Sequence, residues 1–245
     1  MPTNSTVGTA GRFCNHLIRN IAASVLAEKA NLTFNYSYKE ELSALGIRLF
    51  NGSKIYAHTA IMNDDVFFAA INNPGFEANL FMDWTSAQTP EFSTYLYNYF
   101  KDPSHRGSVL YANFYKTRYN TNNDVFVHVR LGDAAQWTPG AEYYDTALSK
   151  LTFEKGYIST DQKDHPIVKH LIEKWGLILY ENSEVLTIMF GSTCKHLVLS
   201  HGTFSYVIGL LGFYSDVYCP PDQHNVWCGK IFDLPGWTKL EIQKS

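Results

Sequence analysis

The sequence predicts an α/β fold with parallel sheets, on three observations. Short apolar runs alternate with helix-patterned stretches of about ten residues, which implies βαβ units. The run Asp124–Arg130 (DVFVHVR) is apolar enough for a buried strand. No internal repeat or low-complexity linker breaks the alternation across the 245 residues, 45% of which are hydrophobic. That length and composition suit one or two globular domains with a sizeable core.

In chain order, Asn15 to Ala30 predicts the first helix. Leu17, Ile21, Ser24, Val25 and Ala27 or Glu28 trace a mostly apolar stripe at helical spacing. Leu32-Thr33-Phe34-Asn35-Tyr36 reads as the strand that follows, with Lys54–Ala57 and Asn79–Met82 as further short strands. Pro90 to Phe100 reads as a helix, and residues 116–119 are too mixed to assign. The second half is sharper. After the strand Asp124–Arg130 come a helix Glu142–Leu151, a strand Gly156–Ser159, helices His165–Trp175 and Ser183–Phe190, a strand His196–Ser200, a helix Thr203–Phe213 and a closing strand Asp216–Tyr218. Strands joined by such helices imply a parallel sheet covered on both faces. The polar run Asn120-Thr121-Asn122-Asn123 predicts a boundary between domains at residues 1–122 and 123–245; a surface loop inside one domain is the alternative.

Charge narrows the function. The formal net charge is −3 and no Lys/Arg run occurs, so a nucleic-acid partner is not expected. No stretch approaches the roughly 18 apolar residues of a membrane span. The opening Met1-Pro2-Thr3-Asn4-Ser5-Thr6 has neither the basic nor the apolar region of a signal peptide. The expectation is a soluble, cytoplasmic chain, in which the sequons at Asn4, Asn31, Asn35 and Asn51 carry no meaning. Cys14, Cys194, Cys219 and Cys228 show no CxxC spacing, and His128, His196 and His201 no metal-ligand spacing. Reduced thiols, no metal and no resident cofactor are expected.

Four segments carry candidate chemistry. His128-Val129-Arg130-Leu131-Gly132-Asp133 ends the buried strand, and ligands of open α/β sheets bind beyond strand carboxyl ends. A guanidinium there suits the two-point geometry of phosphate, and Gly132 permits a close turn. The structural alternative is an Arg130–Asp133 pair. Ser200-His201-Gly202-Thr203-Phe204-Ser205 places Gly202 and two hydroxyls at a strand-to-helix junction, an anion site by its free N–H groups, or else a plain N-cap by Thr203. Gly8-Thr9-Ala10-Gly11-Arg12-Phe13-Cys14-Asn15 leads into the first helix, but lacks the GxGxxG and GK[ST] spacings. Tyr157-Ile158-Ser159-Thr160-Asp161 ends a strand with a hydroxyl and a carboxylate fit for a ribose or a base edge, or for a surface turn.

With these residues in view, the chain resembles the GT-B fucosyltransferases, above all the α-1,2-fucosyltransferase family and its O-fucosyltransferase relatives. The family's HxRRGD motif is similar to His128–Asp133, and its G-G-x-x-N-Q-L-F segment to Gly11–Ile18. Its D-Y-Y helix resembles Glu142-Tyr143-Tyr144, its S-D-D segment Ser159-Thr160-Asp161, and its N-S-T-F-S-W-W segment His201–Tyr206. The likeness is colinear from about residue 8 to 220, with each motif degenerate. Leu131 replaces the second Arg, His16 the Gln, and Tyr206-Val207 the Trp pair.

The resemblance implies a compact GT-B-like fold, two Rossmann-like halves with parallel sheets facing across a cleft. It implies an inverting glycosyltransferase that moves a sugar from a nucleotide-diphosphate donor to the hydroxyl of a glycan or glycoprotein acceptor. GDP-fucose is the first choice of donor. Leu131 leaves a UDP-sugar open, as virus-encoded xylosyltransferases of this shape use. Donor-binding candidates are Gly11, Arg12, Asn15, His128, Arg130, Gly132, Ser159, Asp161, Gly202, Thr203, Phe204 and Ser205. Arg130 and the helix start at Thr203 would stabilise the leaving diphosphate without metal, and no Asp-x-Asp motif occurs. The acceptor base is expected in the first half: Asp64 or Asp65, whose neighbouring carboxylates can raise a pKa, or Asp83. The bland alternative makes Asp64 an N-cap of a helix starting near Val66. Trp84 and Trp137 could stack on sugars, but core packing is the ordinary use of such aromatics. The rivals are a nucleotide- or sugar-binding module without activity and an unrelated α/β transferase.

Overall fold

The computed structural model describes residues 4–82, 87–221 and 229–240. Met1-Pro2-Thr3, Asp83, Trp84 and Cys228, named above, lie outside the described residues. The chain is α/β with parallel sheets, compatible with a Rossmann-like fold, and divides into two compact units, Met1–Tyr95 and Leu96–Ser245. Among the described residues no helix is long and apolar enough to cross a membrane.

The first unit holds α1 (Phe13–Ala30), α2 (Lys39–Ala44), β1 (Thr59–Met62), α3 (Asp64–Asn72) and β2 (Asn79–Met82). β1 and β2 pair in parallel, Thr59 beside Asn79 through Met62 beside Met82. The expected strand Leu32–Tyr36 is reduced to isolated parallel bridges, Leu32 to Lys54 and Asn35 to Ser5; Ser5 also bridges Phe81. The expected strand Lys54–Ala57 keeps only its Lys54 bridge. Side-chain amides take over part of the ladder there. Asn4 Oδ1 accepts from Leu80 N at 2.6 Å, and Asn4 Nδ2 donates to Thr33 O at 3.0 Å. Asn79 Oδ1 accepts from Tyr56 N at 3.0 Å. These bonds satisfy buried backbone groups without regular pairing, which is why propensity alone overstates the strands. α1 ends at Asn31, which takes the left-handed conformation (φ 53°) and gives its N–H to Ala27 and Glu28.

α4 (Pro90–Lys101) crosses the boundary. The second unit continues with α5 (Pro103–Ala112), β3 (Val125–Val129), α6 (Ala141–Ser149), β4 (Gly156–Thr160), α7 (Pro166–Trp175), β5 (Ile178–Leu179), α8 (Glu184–Gly191), β6 (His196–Val198), α9 (Thr203–Leu211), β7 (Asp216–Cys219) and β8 (Trp237–Lys239). The chain therefore does not close on the strand at Asp216, because β8 adds to the edge beyond β7. The boundary expected at 122/123 falls instead at 95/96. The polar run is pinned into the second unit: Asn122 Nδ2 donates to Thr193 O at 2.9 Å, and Arg118 pairs with Asp124 at 2.7 Å. α5 is likewise tied in by Asn113, whose Nδ2 donates to Met189 O at 3.0 Å.

All six strands of this unit run parallel in the order β5-β4-β3-β6-β7-β8. Counted from β3 that order is 3-2-1-4-5-6, the order of dinucleotide-binding sheets. Strand β3 alternates between two buried faces. Val125, Val127 and Val129 pack with Tyr143, Tyr144 and Leu148 of α6 and with Val168 and Leu171 of α7. On the other face Phe126 meets Phe190 of α8, and His128 meets Phe204 of α9. Helices on both faces explain why β3 is buried throughout and mostly apolar.

Candidate functional site

The sheet order reverses between β3 and β6, and chain segments leaving such adjacent strands in opposite directions open a crevice at their carboxyl ends. Arg130 directly follows β3. Gly202 and Thr203 lead from β6 into α9. Asp161 directly follows β4, which neighbours β3 with His128 beside Ser159. One strand register thus brings together residues 31 positions apart.

Arg130 is 17% exposed, and its guanidinium is held by two carboxylates, Nη1 by Asp161 and Nη2 by Asp133. The other Asp161 oxygen accepts the Leu131 backbone N–H at 2.9 Å. Asp161 is therefore occupied in orienting Arg130, not turned toward a ribose as the sequence suggested. Gly132 has φ 29°, and a Cβ there would come within 2.6 Å of Asp161 Oδ2. Its smallness makes room for that carboxylate. Leu131 is fully buried in the core beneath.

α9 begins without a side-chain cap. Gly202, at φ 108°, takes the cap position, and Thr203 is the first helical residue, so the plain N-cap by Thr203 is not what forms. The first-turn N–H groups of such a helix favour an anion. Ser205 does not present its hydroxyl to a ligand as expected: Oγ accepts from Ser200 N at 3.0 Å and lies 2.6 Å from His128 Nδ1. His128 sits against Phe204, ring centroids 5.0 Å apart. Burial drives its pKa down to about 4, with Asp161 opposing and Arg130 assisting the shift. His201 is buried, with its ring edge-on to Phe232.

In the first unit, Gly11 and Arg12 form the turn into α1, and Arg12 takes the cap position without a side-chain cap bond. The turn is braced from below, where the buried Arg19 guanidinium bonds Ala10 O and Thr9 Oγ1. His16 Nδ1 lies 2.7 Å from Ser37 Oγ, and burial, then Arg19, lowers its pKa. Asn15 Oδ1 accepts from Gln88 Nε2 at 3.2 Å, and Asp64 Oδ1 from Ala87 N at 2.6 Å. The segment 87–88 therefore ties Asn15 and Asp64 together. Asp64 does not cap α3, because Asn63 does, accepting from Val66 N at 2.9 Å. Asp64 is half-buried, and desolvation raises its pKa, while Asp65 is exposed.

No motif in the sequence pairs Asp161 with Arg130 or Ser205 with His128. Both depend on strand register, which leaves no local signal. Among the described residues no group of three or more His, Cys, Asp or Glu could hold a metal ion. Comparisons of the chain with protein-family models, with curated proteins and with solved structures found no match.

Proposed function

We propose that the chain is a nucleotide-sugar-dependent glycosyltransferase of GT-B type, whose second unit binds the donor diphosphate at the switch point between β3 and β6. The observation that carries the reading is the placing of Arg130 and the start of α9 at the carboxyl ends of those two strands. Both supply N–H donors to one anion. Developing charge on a leaving diphosphate would strengthen those bonds in the transition state, which is how such a site accelerates transfer. Inversion follows if a carboxylate deprotonates the acceptor hydroxyl and its oxygen attacks the anomeric carbon. Asp64 is the candidate base, since it is half-buried and desolvation raises its pKa, which makes its carboxylate the better proton acceptor.

GDP-fucose remains the first donor by resemblance. One observation favours a UDP-sugar instead: Leu131, where the fucosyltransferase motif has its second Arg, is fully buried among apolar side chains and offers no donor contact. Incubation with an acceptor glycan and GDP-fucose or UDP-xylose, read as nucleotide release, tests both. Release dependent on acceptor supports transfer. Binding of nucleotide without release from any nucleotide sugar would leave a binding module in place of an enzyme.

A further inference from the structure

We propose that Ala87 is a positioning residue for Asp64: its left-handed backbone turns its N–H onto Asp64 Oδ1 and fixes the direction in which that carboxylate faces an acceptor hydroxyl. The proposal rests on the reading of Asp64 as the base and deepens it.

The starting point is a strained backbone in a buried place. Among the described residues, four other than glycine have positive φ: Asn31, Tyr38, Ala87 and Asn120. Asn tolerates the left-handed region because its short amide bonds locally. Tyr38 is 38% exposed. Ala87, at φ 75°, is 3% exposed and has no polar side chain to offset the crowding of its Cβ. Such a conformation persists only where the surroundings impose it, and it collects at functional sites. The start of α4 does not impose it, since Thr89 Oγ1 accepts the Phe92 N–H at 3.3 Å.

What the conformation achieves is a bond. The Ala87 N–H donates to Asp64 Oδ1 at 2.6 Å. Beyond residue 87 the chain is held, because Gln88 Nε2 donates to Asn15 Oδ1 at 3.2 Å. With that side fixed, the φ of Ala87 sets where its N–H points. Asn15 in turn lies close over Gly11, where a Cβ would meet Asn15 Nδ2 at 2.7 Å. The helix that carries Asp64 makes no claim on the carboxylate as a cap, because Asn63 caps α3. Burial raises the Asp64 pKa; the Ala87 N–H and then the Thr89 hydroxyl oppose the rise, and Asp65 and Glu91 add to it. An N–H on a carboxylate favours its charged form, which is the form a base needs.

Two measurements on the full chain test this. In a chain labelled with ¹⁵N-alanine, the Ala87 amide is the signal lost in Ala87→Gly. It should shift with pH as one carboxylate protonates, and hold still in Asp64→Asn. An Ala87 amide that ignores pH across the carboxylate range, or titrates alike in Asp64→Asn, overturns the proposal without recourse to activity. The second measurement is kcat/KM against pH for transfer from GDP-fucose or UDP-xylose to an acceptor glycan. Ala87→Val puts a β-branched side chain where the left-handed region rejects it. It should lower kcat/KM by roughly ten- to hundredfold and move the acid limb to higher pH, since Asp64 loses a donor to its charged form. Ala87→Gly keeps the N–H and accepts the same φ, so the limb should stay where the unaltered chain has it. A folded Ala87→Val chain with an unmoved limb overturns the positioning role. If that variant does not fold, the amide titration decides alone. Transfer from neither donor, or full transfer in Asp64→Asn, overturns the base reading, and the role of Ala87 falls with it.

Discussion

Asp161 grips Arg130 through one carboxylate oxygen and the Leu131 backbone N–H, at 2.9 Å, through the other. The two bonds fix the guanidinium relative to the strand that carries it. Asp133 holds the opposite nitrogen but is 62% exposed, against 27% for Asp161. The pair of carboxylates is thus unequal: Asp161 also holds a backbone N–H and is the less exposed of the two.

That anchoring makes Gly132 sensitive. A Cβ would meet Asp161 Oδ2 at 2.6 Å, and the positive φ already disfavours a side chain. Gly132→Ala should cost roughly 1–2 kcal/mol of stability and also weaken nucleotide binding by releasing Arg130. Denaturant unfolding and nucleotide titration measure the two effects. A stable Gly132→Ala chain with undiminished affinity would show that Asp161 does not position Arg130.

Asp64 and Asp65 separate by environment. Asp64 is half-buried with a raised pKa, mainly from desolvation, and Asp65 is exposed. A base works ionised, so the acid limb of kcat/KM against pH should be displaced upward from that of an unperturbed aspartate. Asp64→Asn should slow transfer by roughly 10²–10⁴-fold, remove that limb and leave nucleotide affinity unchanged. Asp65→Asn should do little. The folded pKa of Asp64 exceeds its unfolded value, so its contribution to stability is present at low pH and lost as pH rises through the raised value. Full transfer activity in Asp64→Asn would remove it as the base.

Much of the second unit is legible in the sequence because β3 is buried on both faces and reads as an apolar run interrupted only by His128. The junction at Gly202 is legible because a glycine and two hydroxyls mark a turn into a helix. Other elements leave weaker traces. β5 has two residues, and β1 has an exposed, buried alternation too short to register. β8 is a three-residue edge strand, half-exposed and mixed in composition. The Asp161–Arg130 and Ser205–His128 pairs bridge segments 31 and 77 residues apart, and only the order and register of the sheet make them neighbours. In the first unit, Asn4 and Asn79 do through side chains what a strand ladder does through backbone, and no propensity records that.

Acid should expose the burial of His128. Its folded pKa, about 4, lies below the ordinary 6.5, mainly through desolvation, with Asp161 raising and Arg130 lowering it. Between those values the unfolded chain binds the proton and the folded chain does not. Stability therefore falls as pH drops from about 6.5 toward about 4, by on the order of 3 kcal/mol for this residue. His16 and His196, also lowered by burial, act in the same direction. Replacing His128 by Gln should flatten the loss between pH 7 and pH 4.5 in urea unfolding relative to the unaltered chain. An identical slope in both would mean that His128 is not held neutral.

The strongest test concerns what Arg130 is for. Its guanidinium, 17% exposed, already has two carboxylate partners, so a purely structural role accounts for its placement as well as phosphate binding does. The two roles diverge at Asp133. If Arg130 grips a diphosphate, Asp133 competes for the same nitrogen, and Asp133→Ala should tighten nucleotide binding. Arg130→Ala should weaken it by about ten- to hundredfold, the worth of a charged, partly desolvated hydrogen bond. Arg130→Lys should fall between, keeping the charge and losing the planar fork. If the pair serves only the fold, Arg130→Ala and Asp133→Ala should both lower the melting temperature without nucleotide. Neither would then change the affinity of the folded fraction. Measuring melting temperature and GDP or UDP affinity on the same three variants separates these outcomes. A well-folded Arg130→Ala chain that binds nucleotide as tightly as the unaltered one would end the phosphate-binding role, and with it most of the case for the glycosyltransferase reading.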